Sequence, residues 1–222
     1  MGSIWWEKTV EYLFVKKYVP DDTLLIPLDG RHELASDGFF FNGTKWVLIE
    51  FKAKLKDVKS EKKKYKNYEA CRRELENDSR HHCFLYGEET EDGKLDVKSC
   101  TYFKNNIRIG CVSCIKHYGE TPDKFTTYLT KLIGHKIKST ELKETLDYSM
   151  VMGVTSVKDG YEIKTTMRVN DYLQLVKAKL LAQLNKETSD DKRREIMQKI
   201  SDIDDLAESQ GDSVAKFFDT IE

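Results

Sequence analysis

The chain has 222 residues, of which 39% are apolar and 34% are charged, and its net charge is −1. Its 24 aromatic residues (10 Phe, 3 Trp and 11 Tyr) exclude a disordered chain, and no apolar run reaches the roughly 18–20 residues of a membrane-spanning helix. The first residues lack a basic segment and a small-residue cleavage site, and five cysteines are an odd number. We therefore expect a cytoplasmic protein of the α/β or α+β class, without a membrane partner or a complete disulfide framework.

The charge is distributed unevenly along the chain. Residues 45–80 contain 12 basic and 7 acidic residues, whereas residues 187–222 contain 5 basic and 11 acidic residues. A basic segment in a neutral chain predicts a surface for a polyanion, although a solvated helix face has the same composition. The acidic C-terminal surface would repel nucleic acid, so residues 169–222 are a candidate contact for a homo-oligomer or a protein partner.

The first 90 residues are predicted to run helix, strands, helix, strand. The predicted elements are a helix over 4–18, an apolar run at 24–28, strands over 33–41 and 45–53, a basic helix over 58–77 and a strand over 82–86. Asn42-Gly43 between the two longer strands is the strongest short signal for a β-hairpin.

The second half of the chain is predicted to alternate strands and helices and to end in helices. The predicted elements are strands over 95–103 and 106–115, a helix over 122–137, a short helix over 140–147, a hairpin of strands over 149–157 and 161–168, and helices over 170–186 and from about 188 onwards. Thr121-Pro122 is typical of a helix start, and Asp159-Gly160 is typical of a hairpin turn.

Three ionic residues lie on the predicted hairpin around Asn42-Gly43. If these two residues form the loop, Asp37 lies opposite Leu48, and alternation places Asp37, Glu50 and Lys52 on one face. Asp37 and Glu50 are then diagonal neighbours, about 7–8 Å apart at Cα. A three-residue loop would break this parity, and a four-residue loop would keep it. The alternative is a surface hairpin whose exposed face carries these residues.

Two carboxylates and a lysine at the end of an apolar strand are costly to place together, unless a cation joins them. Hard oxygen ligands suit Mg²⁺ or Mn²⁺, which also bind phosphate oxygens. Lys52 could orient or help deprotonate water and stabilise negative charge in the transition state. This chemistry fits the hydrolysis of a phosphodiester.

The arrangement of Asp37, a strand pair and Glu50-Phe51-Lys52 resembles the PD-(D/E)xK nuclease superfamily. The resemblance implies a restriction-endonuclease-like α-β-β-β-α-β core with a mixed sheet. It also implies that Asp37 and Glu50 bind the metal, that the carbonyl of Phe51 adds a ligand and that Lys52 is the catalytic lysine. Glu7 on the first helix matches the family's additional metal contact, and Glu11, one turn later, is the second choice.

The resemblance covers residues 4–90, and Ser36 stands where many members of the family have Pro. Residues 91–222 show no family pattern. We therefore expect a nuclease core over 1–92, a continuation of its sheet with inserted elements over 93–168 and a helical appendage over 169–222, so that the core carries a C-terminal α+β extension ending in helices.

The basic helix is predicted to contact the phosphates and bases of a nucleic acid. The residues expected to do so are Lys54, Lys62, Lys63, Tyr65, Lys66 and Arg72. The alternative is a helix of solvated lysines over tyrosines that face the core. We expect a metal-dependent nuclease, with DNA favoured over RNA, acting as an endonuclease in restriction, antiviral defence or repair. The alternative function is a non-catalytic nucleic-acid-binding or protein-interaction component on the same fold.

Two further groups of residues are candidates for metal or active-site contacts. Cys111 and Cys114, with Cys100 before them, suggest a metal site, but zinc needs four ligands and alternation also fits buried strand cysteines. His32, five residues before Asp37, is a candidate for the edge of the active site.

Overall fold

The structure is a computed structural model that describes residues 5–21, 23–25, 43–104, 109, 112–136 and 149–210. The protein has an α/β architecture with one mixed sheet. Its α-helices are α1 (Glu7–Tyr18), α2 (Tyr68–Leu75), α3 (Pro122–His135), α4 (Val169–Lys186) and α5 (Asp190–Gln210). Its strands are β1 (Leu24–Leu25), β2 (Lys45–Lys54), β3 (His82–Glu89), β4 (Leu95–Thr101), β5 (Ser149–Val157) and β6 (Gly160–Arg168). Three 3₁₀ helices cover Leu55–Lys64, Glu76–His81 and Val112–Tyr118.

Strand β2 lies in the interior of the sheet, whose strand order is β1-β6-β5-β2-β3-β4. It pairs in parallel with β3 on one side and antiparallel with β5 on the other. The parallel pairing follows from the crossover between β2 and β3, which contains two 3₁₀ helices and α2. The antiparallel pairing joins β2 to a hairpin about 100 residues later in the sequence.

The predicted register of the hairpin around Asn42-Gly43 is wrong for β2. That register pairs Phe39 with Trp46 and Asp37 with Leu48. Trp46 is bridged to Gly153 on one edge and to Glu120 on the other, and Leu48 is paired with Val151 and His82. Both edges of β2 are therefore paired at Trp46 and Leu48, so neither residue can pair with a further strand. The predicted strand over 33–41 lies outside the described residues, and so does Asp37.

The sheet separates two hydrophobic layers, because alternate residues of β2 point to opposite faces. Val47, Ile49 and Phe51 pack with Val10 and Phe14 of α1 on one face. Trp46 and Leu48 pack on the other face against the helices. The helical residues of that layer include Leu75 of α2, Phe125, Leu129 and Leu132 of α3, and Tyr172, Leu173 and Val176 of α4. The face of Trp46 and Leu48 also carries Glu50 and Lys52, so these two charged residues continue an apolar row into the protein interior.

Most of the predicted elements are confirmed, with small shifts at their ends. The confirmed elements are α1, β2, β3, β4, α3, the hairpin of β5 and β6, α4 and α5. The first two residues of the apolar run at 24–28 form β1. The predicted short helix over 140–147 lies outside the described residues.

Two of the predicted elements are wrong. The single helix over 58–77 is interrupted: a 3₁₀ helix ends at Lys64, and α2 begins at Tyr68 with Asn67 as its N-cap. The Asn67 side chain accepts a hydrogen bond from the Ala70 amide at 3.0 Å, so the cap residue starts a new helix within the basic segment. The strand over 106–115 is also wrong for its last residues, because Val112–Tyr118 form a 3₁₀ helix.

Helix α4 contributes Tyr172 and Leu173 to the same core as Trp46, and it forms a hairpin with α5. The Lys177 ammonium contacts the Asp204 carboxylate at 2.5 Å across this hairpin. The first half of α4 is thus part of the main core, and the predicted division at residue 169 stays a prediction. Among the described helices, none combines the length and the apolar character needed to cross a membrane.

Candidate active site

Glu50 and Lys52 are almost completely buried near the end of β2. Their exposed fractions are 0% and 3%, and both side chains belong to one group of ionic residues that are joined by ion pairs. We call this group the charged cluster: it consists of Glu7, Glu50, Lys52, Glu61, Lys64 and Lys136. Because burial of an isolated charge is strongly unfavourable, each member must be stabilised by its neighbours.

Glu61 lies at the centre of the charged cluster. The 3₁₀ helix Leu55–Lys64 has three residues per turn, so Val58, Glu61 and Lys64 form one row along its inner side. Carboxylate oxygens of Glu61 lie 3.1 Å from the Lys52 ammonium and 2.8 Å from the Lys64 ammonium. Burial alone would raise the pKa of the Glu61 carboxyl, but the positive charges of Lys136, Lys52 and Lys64 outweigh it and hold that pKa well below its usual value. Glu61 is therefore ionised at neutral pH.

Lys136 enters the charged cluster from the end of α3. Its ammonium lies 3.2 Å from Glu50 Oε1 and 3.4 Å from Glu61 Oε1, and the residue is only 4% exposed. The backbone at Lys136 forms an antiparallel bridge with Tyr65, and the Lys66 amide donates to the His135 carbonyl at 3.1 Å. These backbone contacts hold the end of α3 against the segment that follows Glu61, and thereby place Lys136 between the two carboxylates.

Glu7 approaches Lys52 from the first turn of α1. Its Oε1 lies 3.5 Å from the Lys52 ammonium. Burial raises the pKa of the Glu7 carboxyl, and the positive charges of Lys52 and Lys64 only partly offset this effect. Glu11, the second choice of the sequence analysis, instead pairs with Lys8 at 2.7 Å. Between the two residues, Glu7 is the one that reaches Lys52.

Lys52 is an ammonium group at neutral pH. Burial would lower its pKa, but the negative charges of Glu61, Glu50 and Glu7 outweigh burial and raise that pKa above its usual value. Lys52 can therefore donate hydrogen bonds and stabilise developing negative charge, whereas it is a poor acceptor of protons. Of the two predicted roles of Lys52, electrostatic stabilisation is the one that its surroundings favour.

The carboxylate of Glu50 is suited to a divalent cation. Its Oε1 contacts Lys136, whereas its buried Oε2 has no hydrogen-bond partner among the described residues. A carboxylate oxygen that is buried and unpartnered is unfavourable, and a hard cation would satisfy it. The described residues contain no group of three His, Cys, Asp or Glu side chains with metal-binding geometry. A complete ligand set therefore needs Asp37, backbone oxygens, water or substrate in addition to Glu50.

Phe51 lies between the two ionic residues in sequence but points to the opposite face. Its ring packs against Phe14, with the ring centroids 5.8 Å apart. The side chain is buried in the hydrophobic layer under α1, so Phe51 could offer a metal only its backbone carbonyl, as the resemblance implies.

The residues predicted to bind nucleic acid have different surroundings. Tyr65 is buried, and its hydroxyl pairs with that of Tyr102, so its ring offers no stacking surface. Lys63 and Lys66 are exposed, whereas the Lys54 ammonium lies over the Trp5 ring at 4.7 Å. Lys62 lies over the Tyr68 ring at 4.7 Å, and Arg72 pairs with Glu76 at 3.0 Å. The basic surface is thus formed mainly by lysines.

The 3₁₀ helix arranges its exposed lysines in a row. Lys56, Lys59 and Lys62 are three residues apart, and all three are exposed. Three residues make one turn of about 6 Å in such a helix, so the lysines follow one another along one side. The same helix therefore directs Glu61 inward to the charged cluster and the lysine row outward to solvent.

Glu61, Lys64 and Lys136 are members of the charged cluster that sequence reasoning missed. Glu61 and Lys64 could have been found from the spacing of three in Val58-Glu61-Lys64, had a 3₁₀ helix been expected instead of an α-helix. Lys136 is 86 residues from Glu50 and lies in a segment without a recognisable motif. Only the packing of α3 on the sheet brings it to the cluster.

Among the described residues, the other predicted candidates do not belong to the charged cluster. Cys100 is a buried cysteine on β4, while Cys111 and His32 lie outside the described residues. His82 is buried, and its Nδ1 lies 2.8 Å from the Tyr128 hydroxyl. Burial, with the charge of Lys136, lowers the pKa of His82 well below its usual value, so His82 is a neutral core residue.

Comparison with protein-family models, with curated proteins and with solved structures finds no match for this chain.

Proposed function

We propose that this protein is a metal-dependent nuclease that hydrolyses phosphodiester bonds, and that its substrate is DNA. The observation that carries the proposal is the buried pair of Glu50 and Lys52. The two residues share one face of β2, Glu50 Oε2 has no partner among the described residues, and Lys52 is held as a cation by Glu61 and Glu7. A carboxylate that has one unpartnered oxygen and lies beside a protonated lysine suits hydrolysis of an anionic ester.

Glu50 is the proposed metal ligand, and the resemblance to PD-(D/E)xK nucleases implies Asp37, which lies outside the described residues, as the second carboxylate. Mg²⁺ or Mn²⁺ would supply Lewis-acid chemistry at this position. Lys52 stabilises the negative charge that develops on the phosphate and orients the attacking water by hydrogen bonding. Glu7 holds the Lys52 ammonium at 3.5 Å and thereby fixes its direction.

The lysine row supports a nucleic acid as the substrate. Lys56, Lys59 and Lys62 are exposed on the 3₁₀ helix whose inner row carries Glu61, so a backbone that binds the lysines passes close to the charged cluster. Positive groups that neutralise successive phosphates provide most of the affinity of sequence-independent binding. An endonuclease of restriction, antiviral defence or repair is the role that we favour for such a site.

The proposal is tested by incubating purified protein with supercoiled plasmid, linear duplex, branched DNA and RNA, in Mg²⁺ or Mn²⁺ and in EDTA. We expect cleavage that requires the metal, and a loss of at least about a hundredfold in Glu50→Gln and Lys52→Met, because each removes a transition-state contact. Asp37→Asn belongs to the same series. Glu162→Gln is the matched control, because Glu162 lies on β6 and pairs at the surface with Lys164 at 2.7 Å. Metal-independent cleavage, or full activity of Glu50→Gln, would contradict the mechanism.

One observation favours a second candidate function, a non-catalytic nucleic-acid-binding module. Within the charged cluster, three carboxylates face three ammonium groups, so the described residues balance their charges without a metal. Such a network can be purely structural. DNA binding that persists in EDTA, together with no cleavage of any substrate in Mn²⁺, would favour this candidate over the nuclease.

A further inference from the structure

The Lys136 ammonium contacts one oxygen of Glu50, the carboxylate that is the proposed metal ligand. The ammonium lies 3.2 Å from Glu50 Oε1, and Glu50 is fully buried. A buried ammonium at this distance and a divalent cation on the same carboxylate would repel each other strongly.

Lys136 is the lysine of the charged cluster that holds Glu50. Lys52 forms its ion pairs with Glu7 and Glu61, and Lys64 forms its ion pair with Glu61. Lys136 also has a second acceptor, because Glu61 Oε1 lies 3.4 Å from its ammonium. The flexible four-carbon stem of a lysine allows the ammonium to leave one carboxylate while it keeps the other.

We propose that Lys136 is an internal counter-ion of Glu50 and that a divalent metal must displace its ammonium in order to bind the Glu50 carboxylate. The inference rests on the proposed function, since it requires that Glu50 is a metal ligand. Without metal, Lys136 neutralises Glu50 and preserves the buried site. With metal, Lys136 stays beside Glu61, and its charge is then available to an anionic substrate. Lys136 acts through Glu50 and is therefore a positioning residue.

The test compares two substitutions that each remove one positive charge from the charged cluster. Lys136→Met removes the ammonium that contacts Glu50, whereas Lys64→Met removes an ammonium whose ion pair within the charged cluster is with Glu61. Binding of Mn²⁺ to the full chain is measured by titration calorimetry at pH 8, without nucleic acid. If Lys136 competes for Glu50, Lys136→Met binds Mn²⁺ at least about tenfold more tightly than Lys64→Met does, because it alone removes the ammonium that contacts the Glu50 carboxylate.

A second readout is thermal stability. Lys136→Met leaves Glu50 buried without its counter-ion, so Mn²⁺ replaces the lost charge and raises the melting temperature of this variant more than that of the wild type. Equal Mn²⁺ affinities of Lys136→Met and Lys64→Met would overturn the inference while leaving the proposed metal site intact. Absence of Mn²⁺ binding in the wild type and in both variants would instead overturn the metal site of the proposed function.

Lys136→Arg keeps the test decisive if Lys136→Met does not fold. Arginine retains the positive charge beside both carboxylates, and its planar group can hold Glu50 through two hydrogen bonds. We therefore expect Lys136→Arg to fold and to bind Mn²⁺ more weakly than the wild type does. Mn²⁺ binding as tight as that of the wild type, or tighter, would overturn the inference.

Discussion

Glu61→Gln is expected to destabilise the protein substantially, because Glu61 is the carboxylate that three lysines of the charged cluster share. Glutamine keeps the size of the side chain but removes the negative charge from a residue that is 2% exposed. Among the ion pairs of the described residues, Lys52 then keeps the one with Glu7, at 3.5 Å, and Lys136 keeps the one with Glu50, at 3.2 Å. Removal of one partner from a buried ion pair costs about 3–5 kcal/mol of unfolding free energy.

This cost can be converted into a melting temperature and a pH dependence. For a chain of this size, about 2–4 °C are lost per kcal/mol, so the melting temperature falls by about 6–20 °C at pH 7.

The pKa of Glu61 is lowered in the folded protein relative to about 4.3 in the unfolded chain. Its charge therefore stabilises the fold above about pH 4.3, and this contribution is lost as the pH falls through the lower folded pKa. The difference in unfolding free energy between wild type and Glu61→Gln should therefore be largest at pH 7 and become smaller at acidic pH.

The measurement is urea denaturation of wild type and Glu61→Gln at pH 7 and at a series of lower pH values. Glu76→Gln is the control, because Glu76 forms its ion pairs with Arg72 and Lys104 at the protein surface. We expect little change in the control. If Glu61→Gln unfolds within about 1 kcal/mol of the wild type at pH 7, or if the difference grows in acid, the reasoning about the charged cluster is wrong.

Two further substitutions test the segment between β2 and β3. Replacement of Lys56, Lys59 and Lys62 by Gln should weaken DNA binding. The slope of the logarithm of the affinity against the logarithm of the salt concentration should become shallower by up to about 2.7, because each lost phosphate contact contributes about 0.9. The control is the same change at three exposed lysines of the C-terminal helices, Lys186, Lys192 and Lys199; equal effects of the two triple variants would reject the lysine row as the binding surface. Asn67→Ala removes the N-cap of α2 and should cost about 0.5–2 kcal/mol in denaturation, whereas Asn77→Ala, at an exposed asparagine, should change little.

The local elements of this protein follow from its sequence, because helix and strand periods and turn residues act over a few neighbours. Thr121-Pro122 predicts the start of α3, and Asp159-Gly160 predicts the hairpin of β5 and β6. The apolar row of β2 likewise predicts a buried strand. The basic segment is an exception: one helix is predicted over 58–77, but a 3₁₀ helix ends at Lys64 and a separate α-helix begins after the cap at Asn67.

The strand pairing was decided only by tertiary structure. The Asn42-Gly43 signal predicts a partner for β2 from the preceding residues, but both edges of Trp46 and Leu48 are taken by later parts of the chain. A sequence shows that a strand is apolar on both faces, yet it does not show which strand lies beside it. The long-range contacts of β5 with β2 are favoured because they complete the hydrophobic layer under α3 and α4.

The alternation of residues along β2 determined that Glu50 and Lys52 share one face, since side chains in a strand alternate with a period of two. The spacing of Glu50 and Lys52 did not indicate which residues of other elements would contact them. Glu61 and Lys136 reach Glu50 and Lys52 through the packing of a 3₁₀ helix and the end of α3 against the sheet. Their ion pairs depend on burial and on distances of 3–4 Å between residues up to 86 positions apart. Such contacts exist only in the folded chain, which is why the motif was visible in the sequence and its counter-ions were not.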